Sequence, residues 1–496
     1  MNDFLQILIC EGDDFLRFLP HLCPKIAKNL IYGAKNTVFG IARRFLLCYN
    51  IKVIYKVNRR RKKKGRVVIM QYGLLGKTLG HSYSPEIHGL FGCPDYCLRE
   101  VPPDELDAFM KSADFKGINV TVPYKKAVLP YIHSLSDEAR TAGSVNCIVK
   151  KEDGTLYGDN TDTKGFDALL TFSKINVRRK KVLVLGSGGA AGAVHAVLRR
   201  RGVREAVTVS RTGEVNYSNV HLLHGDADVI VNATPVGMYP NNGESPIDLA
   251  PFSRLSGVID IIYNPDKTAL VLAAEKRGIT ALGGLYMLVA QAAAADELFF
   301  GKKISEAEVR RVYTRLRASK RNLVLIGMPG SGKSVIGKRL ASALHRPFVD
   351  VDRVIEGETG RSIPDIFAED GEDAFRTLET EYTQKVCRES GQIIACGGGV
   401  VIRDANRDAV RENSAVVYLI RNTAELATRG RPVSQANSLE ALAAVRIPIY
   451  KAWSDVKILN CGINPTVGQI IRFMHLRPES KGDTAKEDAV NEASDN

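Results

Sequence analysis

The sequence contains no paired C-x-x-C motif. Its nine cysteines, at 10, 23, 48, 93, 97, 147, 387, 396 and 461, are scattered, which argues against a disulfide framework or a zinc cage and for thiols held reduced in a cytoplasm. The one close pair, in "CPDYC" at 93–97, raises the thought of a metal, but no His/Cys cluster follows it. No uncharged apolar run approaches the roughly 20 residues that a membrane helix needs, so no membrane partner is expected. Repeats at solenoid spacing are absent, and so is an aromatic/basic RNA-binding signature. The net charge of +14 looks like a nucleic-acid signal until it is located. Residues 1–69 hold 15 Lys/Arg against 4 Asp/Glu, a surplus of +11, which leaves +3 for everything else. The globular part is close to neutral, and no nucleic-acid partner is expected.

The basic leader, 1–69, has no serine, unlike an organellar transit peptide, and lacks the clean apolar run of a secretory signal. Its end, "RRRKKKGRVVIM" at 59–70, can be written in purine-only codons shortly before a Met, as a bacterial ribosome-binding site would read if translated in frame. The expectation is that the working start is Met70; a disordered basic arm is the alternative reading.

At 496 residues with 45 % hydrophobic content, the chain has room for more than one domain. Strand-like runs recur at "MQYGLLG" (from Met70), "KGINVTVPY" (116–124), "SVNCIV" (144–149), "KVLVLG" (181–186), "AVTVS" (206–210), "VIVNAT" (229–234), "GVIDIIY" (257–263), "QIIACGGG" (392–399) and "AVVYLI" (415–420). Helical stretches separate most of them, which predicts parallel sheets. Helices over 284–301 and 305–318 close the first half, and "SKR" (319–321) forms a short polar joint. A polar tail without periodicity, 476–496, is expected to be disordered.

"NLVLIGMPGSGKSVIGKRL" (322–340) is a strand, a glycine loop and a helix. Gly327-x-x-x-x-Gly332-Lys333-Ser334 fits the P-loop in full, with backbone N–H groups cradling phosphates, Lys333 reaching the β/γ oxygens and the Ser334 hydroxyl on Mg²⁺. "FVDVDRVIE" (348–356) puts Asp350 and Asp352 at a strand end with period-two spacing, so both point the same way. One can help hold Mg²⁺ while the other accepts a hydrogen bond from an attacking hydroxyl. Arg376, the "CGGGVV" segment, the "RGRPVS" lid (429–434) and Arg446 complete a pocket suited to a small hydroxylated carboxylic acid. Over about 322–475 these motifs together (P-loop, D-x-D, F-R-x-x-E, triple glycine, R-x-P-x-Y) resemble shikimate kinase. The resemblance implies that Gly330, Ser331, Gly332, Lys333 and Ser334 hold ATP, with Arg431 folding over the phosphates. It also implies that Asp350 reaches Mg²⁺ through water, Asp352 orients the acceptor 3-hydroxyl, Arg376 and Arg446 hold its carboxylate, and Gly397, Gly398 and Gly399 line its ring.

"KKVLVLGSGGAAGAVHAVL" (180–198) supplies a second strand–glycine loop–helix. Gly186 and Gly188 stand in place for G-x-G-x-x-G, but Ala191 holds the third position and Gly192 follows it. Strand "AVTVS" leads into Arg211 and Thr212, where an Arg selects the 2′-phosphate of NADP over the ribose hydroxyl of NAD. Upstream, "HSYSPEIH" presents Ser82 and Ser84, and "INVTVPYKK" places Asn119 and Thr121 on one strand face with Lys125 beyond. "AGSVN" adds Asn146 and "GDNTD" adds Asp162. Hydroxyls and amides suit a polyhydroxylated ring, and a Lys/Asp pair suits proton transfer to a carbonyl oxygen receiving hydride.

Over roughly 70–318 the S-x-S-P, N-V-T-V-P-x-K, G-x-V-N, D-N-T-D and "LVAQAA" segments resemble shikimate dehydrogenase. The resemblance assigns Ser82, Ser84, Thr121, Asn146, Asp162 and Gln291 to substrate, Lys125 to general acid/base work supported by Asp162, and Tyr263 to the ring's vicinity. Gly186, Ser187, Gly188, Gly189, Ala190, Arg211 and Thr212 would hold NADP, and Gly284 its nicotinamide end. Members usually read Asn-Arg-Thr where Ser210-Arg211-Thr212 stands here.

The implied fold class is α/β throughout. An α/β substrate domain (70–170) and a Rossmann NADP domain (171–318) precede a P-loop NTPase-type parallel α/β kinase domain (322–475). The implied function is bifunctional: NADPH-dependent reduction of 3-dehydroshikimate to shikimate, then ATP- and Mg²⁺-dependent phosphorylation of shikimate, as consecutive steps of aromatic amino acid biosynthesis. A catabolic NAD-linked quinate/shikimate oxidoreductase fused to a kinase, or a metabolite-sensing regulator, are the alternatives. Nothing in the sequence sets an oligomeric state.

Overall fold

The computed structural model describes residues 71–80, 82–422 and 439–474. The leader with its expected start at Met70, the tail at 476–496 and the lid residue Arg431 lie outside the described residues. The rest forms three sheets. The first contains β1 (Tyr72–Gly76), β2 (Cys97–Glu100), β3 (Gly117–Val120), β4 (Ser134–Leu135), β5 (Cys147–Lys150) and β6 (Leu156–Asp159), in the order β2-β1-β3-β5-β6-β4. The expectation of parallel sheets fails here: β5 runs antiparallel to both neighbours, pairing Gly117 with Val149 and Cys147 with Asp159. The reason is local. Only a tight turn, with Gly154 N–H donating to the Lys151 carbonyl at 3.0 Å, separates β5 from β6, and a parallel pair needs a long crossover.

The second sheet, β7 (Lys181–Leu185), β8 (Glu205–Val209), β9 (Val229–Asn232), β10 (Gly257–Asp260) and β11 (Thr280–Leu282), is wholly parallel in the order β11-β10-β9-β7-β8. The chain leaves β7 to one side for β8 and returns to the other for β9. That reversal opens a crevice at the carboxyl ends of the strands. The third sheet, β12 (Asn322–Ile326), β13 (Phe348–Asp350), β14 (Ile393–Ala395), β15 (Ser414–Ile420) and β16 (Val456–Leu459), is also parallel, ordered β13-β14-β12-β15-β16. β7 and β12 are buried at every position, which is why both read as unbroken apolar runs. Along β12, Leu323 and Leu325 enter one core while Val324 and Ile326 enter the other, the period-two alternation of a strand covered on both faces.

The Thr161–Ser173 helix crosses the Leu285–Phe300 helix in a shared core that includes Phe166, Leu169, Met287 and Val289. The crossing is close because Gly165 has no side chain; a Cβ there would stand 2.7 Å from the Met287 carbonyl oxygen. The Glu306–Lys320 helix starts on a capping box between Ser305 and Glu308, which satisfies two of its orphan backbone donors. It ends two residues later than the sequence suggests, so Arg321 alone joins it to β12. The last turn is held by its cations: Arg317 donates to Asp266 at 2.9 Å and Lys320 pairs with Glu86, and positive groups are favoured at a helix carboxyl end. Among the described residues, no helix is long and apolar enough to cross a membrane.

Two glycine substitutions should act in opposite directions. Gly165→Ala forces the helix crossing apart and should destabilise the fold by about 1–3 kcal/mol. Gly357→Ala, on a helix with nothing within 4 Å of the new atom, should stabilise it by about 0.5–1 kcal/mol. Thermal unfolding of the two variants reads both signs.

Candidate active sites

Lys125 lies on the turn that follows β3, and its carbonyl accepts the Val145 N–H at 2.8 Å. Asp162 sits in the first turn of the Thr161–Ser173 helix. Their side chains meet at 2.5 Å between Nζ and Oδ2, with only 16 % and 9 % exposure, so little water intervenes to weaken the attraction. The other Asp162 oxygen accepts Asn146 Nδ2 at 2.8 Å, and Asn146 Oδ1 accepts the Thr161 N–H at 2.6 Å. Gln291, on the Leu285–Phe300 helix, meets Thr161 Oγ1 at 3.3 Å. The hydroxyls of Ser82 and Ser84 lie 3.2 Å apart at the start of the Ser84–Leu90 helix.

β3 ends at Val120, and the Thr121 N–H still donates to the Leu75 carbonyl at 2.9 Å, one step beyond the pairing with β1. Asn119 is buried and occupied, with Oδ1 accepting the Tyr96 hydroxyl at 2.8 Å and Nδ2 donating to the Asn146 carbonyl at 3.3 Å. Tyr96 itself stacks on His88 with ring centres 3.8 Å apart, and His88 Nδ1 meets Asp296 Oδ1 at 2.6 Å. Burial raises the Asp296 carboxyl against the opposing pull of His88. Tyr96 lies inside "CPDYC", where attention falls on the cysteines. Both are free thiols, and among the described residues no three metal-ligating side chains gather.

The glycine loop after β7 approaches this pair from the second sheet. A Cβ on Gly189 would stand 3.7 Å from Lys125 Cβ. Gly186 N–H donates to the Val209 carbonyl at 2.8 Å, which sets the loop beside the turn carrying Arg211 and Thr212, both exposed. Ser187 and Gly188 are exposed too, at the start of the Gly189–Arg200 helix. Open backbone at a helix amino end with a guanidinium nearby fits a dinucleotide bearing a 2′-phosphate. Gly284 begins the Leu285–Phe300 helix after β11, its N–H on the Ile262 carbonyl at 2.7 Å, and Tyr263 lies just beyond β10. Gly192, not position 191, makes the close contact expected of a third glycine: a Cβ there would stand 2.5 Å from the Ala142 carbonyl oxygen. The displaced glycine thus serves packing of that helix against the first lobe.

In the second half a cleft of about 520 Å³ is lined by Lys333, Ser334, Asp350, Asp352, Arg376, Gly397, Gly398, Gly399 and Arg446. Lys333 Nζ donates to the carbonyls of Gly327 and Met328 at 2.9 and 3.1 Å. Ser334 Oγ donates to Asp350 Oδ2 at 2.6 Å, an oxygen pair that fits a divalent cation. Asp350 ends β13, but Asp352 lies in the first turn of the Val351–Thr359 helix. The two therefore share the cleft through a strand-to-helix turn and not through period-two spacing. Asp352 Oδ1 is buried without a hydrogen-bond partner, as is Glu379 Oε1. Arg376 is gripped by Glu379 at 2.7 Å and Glu372 at 2.9 Å, and Arg446 donates to the Gly398 carbonyl at 3.3 Å. The triple glycine is steric: a Cβ on Gly397 would stand 2.7 Å from both Asp352 Oδ1 and Glu379 Oε1, and one on Gly399 would collide with the Arg376 guanidinium. A neighbouring cleft shares Gly332, Val335 and Arg421 and adds Asn460, whose Nδ2 donates to the Ser331 carbonyl at 2.7 Å. Glu379, Arg421 and Asn460 are not among the residues that the sequence points to. Glu379 has a signal, as the last residue of F-R-x-x-E; Arg421 and Asn460 carry none locally.

A shikimate dehydrogenase (NADP(+)) of Clostridium beijerinckii is 38 % identical over 46 % of this chain and 91 % of its own length. The chain belongs to the shikimate dehydrogenase family. Residues 74–148 match the family's substrate binding domain, and a shikimate dehydrogenase (NADP(+)) of Shouchella clausii is 36 % identical over 49 % of this chain and 97 % of its own. The solved chorismate mutase/shikimate 5-dehydrogenase fusion protein from Clostridium acetobutylicum is 36 % identical with a TM-score of 0.47, covering 50 % of this chain and 98 % of that one. Residues 329–474 match the shikimate kinase family, so a kinase domain follows the dehydrogenase in one polypeptide. The dehydrogenase match spans Ser82, Ser84, Thr121, Lys125 and Asn146, and the kinase match spans Gly330 through Arg446.

Asp352 is pushed up to about 6, first by burial and then by the charges of Asp350 and Glu379. A carboxylate that accepts a proton must be ionised, so kcat/KM of the kinase, which reports the free enzyme, should fall tenfold per pH unit below about pH 6. Asp352→Asn should remove that limb and lower turnover by about 10²–10⁴. By linkage the raised value also means that the stability this group lends is full below the ordinary carboxylate range and lost as pH rises through about 6.

Proposed function

We propose that the chain works twice on one carbon skeleton, reducing 3-dehydroshikimate to shikimate in the dehydrogenase half and phosphorylating the shikimate 3-hydroxyl in the kinase half. The observation that carries the first step is the Lys125–Asp162 pair lying beside Gly189 of the dinucleotide loop. When bound, NADPH supplies the hydride and ATP with Mg²⁺ supplies the phosphoryl group. The chain's residues do the remaining work. Lys125 Nζ gives its proton to the C3 oxygen as negative charge grows there, and Asp162, 2.5 Å away, keeps the ammonium aimed. Asp162 in turn is fixed by Asn146, which leaves the hydroxyls of Ser82, Ser84 and Thr121 to hold the ring.

In the kinase half Asp352 takes the proton of the 3-hydroxyl. Its Oδ1, buried and without a partner, is an acceptor waiting for a donor, and an unmatched buried acceptor is costly unless a ligand meets it. Arg376 and Arg446 hold the substrate carboxylate, Lys333 the phosphates, and Ser334 with Asp350 the cation. Arg211 selects the 2′-phosphorylated coenzyme.

Lys125→Ala should lower the dehydrogenase kcat by about 10²–10⁴ while KM for 3-dehydroshikimate moves only a few-fold. Steady-state kinetics with turnover near the parent would remove Lys125 from the reaction. Arg211→Ala should raise KM for NADPH at least about tenfold, the loss of one charge-assisted contact, and leave KM for NADH almost unchanged.

A further inference from the structure

Asn119 lies where two segments of the dehydrogenase site meet. It is the third residue of β3, the strand that runs into the Lys125 turn, and its Nδ2 donates to the Asn146 carbonyl at 3.3 Å. The same carbonyl accepts the Val120 N–H at 2.8 Å, and the Val145 N–H returns to the Lys125 carbonyl at 2.8 Å. Asn146 in turn holds Asp162 through its own amide at 2.8 Å. These bonds join the segment that carries Lys125 to the segment that steadies its carboxylate partner. Asn119 contributes a side chain to that seam, and the bond depends on which way its amide faces.

An amide can turn over and exchange its oxygen for its nitrogen. The Asn146 carbonyl only accepts, so Nδ2 must face it and Oδ1 must face away. There the Tyr96 hydroxyl meets Oδ1 at 2.8 Å. Burial pushes that hydroxyl well above the usual tyrosine range, so it keeps its proton and donates. Tyr96 stands just before β2, and β1 lies between β2 and β3, so its ring must reach across a strand. Its plane is set by a second contact. The ring stacks on His88 at 3.8 Å with only 9° between the planes, and His88 Nδ1 meets Asp296 Oδ1 at 2.6 Å on the Leu285–Phe300 helix. His88 and Asp296 are 0 % and 2 % exposed. Two ionisable groups buried so deeply are costly unless they meet, so this pairing keeps the imidazole from turning under the tyrosine.

We propose that Tyr96 is a positioning residue for the reduction. Its hydroxyl orients the Asn119 amide, Asn119 holds the Asn146 backbone against the strand leading to Lys125, and the His88–Asp296 pair supports the tyrosine ring from below. Tyr96 acts through Asn119 and Asn146 on the Lys125–Asp162 pair. Without the hydroxyl, Asn119 Oδ1 is left buried and unmatched, and the amide is no longer directed toward Asn146. This rests on the dehydrogenase reading. A parent chain that fails to reduce 3-dehydroshikimate sinks that reading, whereas a working parent whose kcat survives loss of the hydroxyl sinks this inference alone.

The test uses the full-length chain with Tyr96→Phe, Asn119→Ala, the two combined, Asp296→Leu and Asp296→Asn. Each preparation is assayed for reduction of 3-dehydroshikimate, with shikimate phosphorylation as the control for folding. Phe keeps the ring on His88 and removes only the hydroxyl. Loss of one neutral hydrogen bond corresponds to about two- to tenfold in an equilibrium. Because the bond bears on the aim of the proton donor, Tyr96→Phe should lower kcat within that range while KM moves by a smaller factor. Once Asn119 is alanine, removing the hydroxyl should cost less than about twofold more, since its partner is already gone. Asp296→Leu, which frees the His88 ring, should also lower kcat, and Asp296→Asn, which can still meet Nδ1, should hold it near the parent. Kinase kcat/KM should stay constant throughout. The proposal is overturned if Tyr96→Phe lowers kcat by less than about twofold, or if KM changes by the larger factor. It is equally overturned if the Tyr96→Phe and Asn119→Ala effects multiply, if Asp296→Leu and Asp296→Asn behave alike, or if the two activities fall in parallel. Should Tyr96→Phe fail to fold, the two Asp296 variants decide by the same criteria.

Discussion

One carboxylate connects the chemistry of the dehydrogenase half to its architecture. Asp162 spends one oxygen on the Lys125 ammonium and the other on the Asn146 amide, and it stands on the first turn of the helix that packs, through Gly165, against the helix carrying Gln291. One side chain thus ties Lys125 and Asn146 to the start of the helix that makes this crossing. In a site screened from water such a contact is worth far more than a surface pair. The reach of Lys125 toward the glycine loop depends on it, and so does the setting of Asn146.

The kinase half repeats the logic with different groups. Its central strand is buried on both faces, its glycine loop leaves the carboxyl end, and the acceptor side is so tightly packed that a side chain at Gly397 would meet Asp352 and Glu379, one at Gly398 would meet Pro329 and one at Gly399 would meet Arg376. Each half thus places reacting groups where parallel strands end. The joint between them is one residue, Arg321, whose guanidinium lies 3.4 Å from Asp266 on the dehydrogenase side and 3.7 Å from Asp455 on the kinase side.

Much of this architecture is legible in the chain, and the limits have physical causes. The P-loop and the dinucleotide loop are local: strand, turn and helix lie within twenty residues, and their glycines are imposed by backbone geometry. Lys125, Asn146 and Asp162 are recognisable by residue type and order, although their contact is a tertiary fact. Spacing fails as a guide for one pair: Asp350 and Asp352 share a cleft because a helix begins between them. The antiparallel β5 has a signal in the Asp153–Gly154 turn, a hairpin mark outweighed by the surrounding strand–helix alternation. The contact between Asn242 and Glu412 joins residues 170 positions apart and has no sequence signature.

The central claim is that one carbocyclic acid is processed at both sites of a single chain. The direct measurement is to supply purified full-length protein with 3-dehydroshikimate, NADPH, ATP and Mg²⁺ and follow products by mass spectrometry alongside NADPH absorbance. The account predicts shikimate 3-phosphate accumulating with one NADPH oxidised per molecule formed, and shikimate alone when ATP is withheld. Oxidation of NADPH without any phosphorylated product, or no oxidation at all, would contradict it.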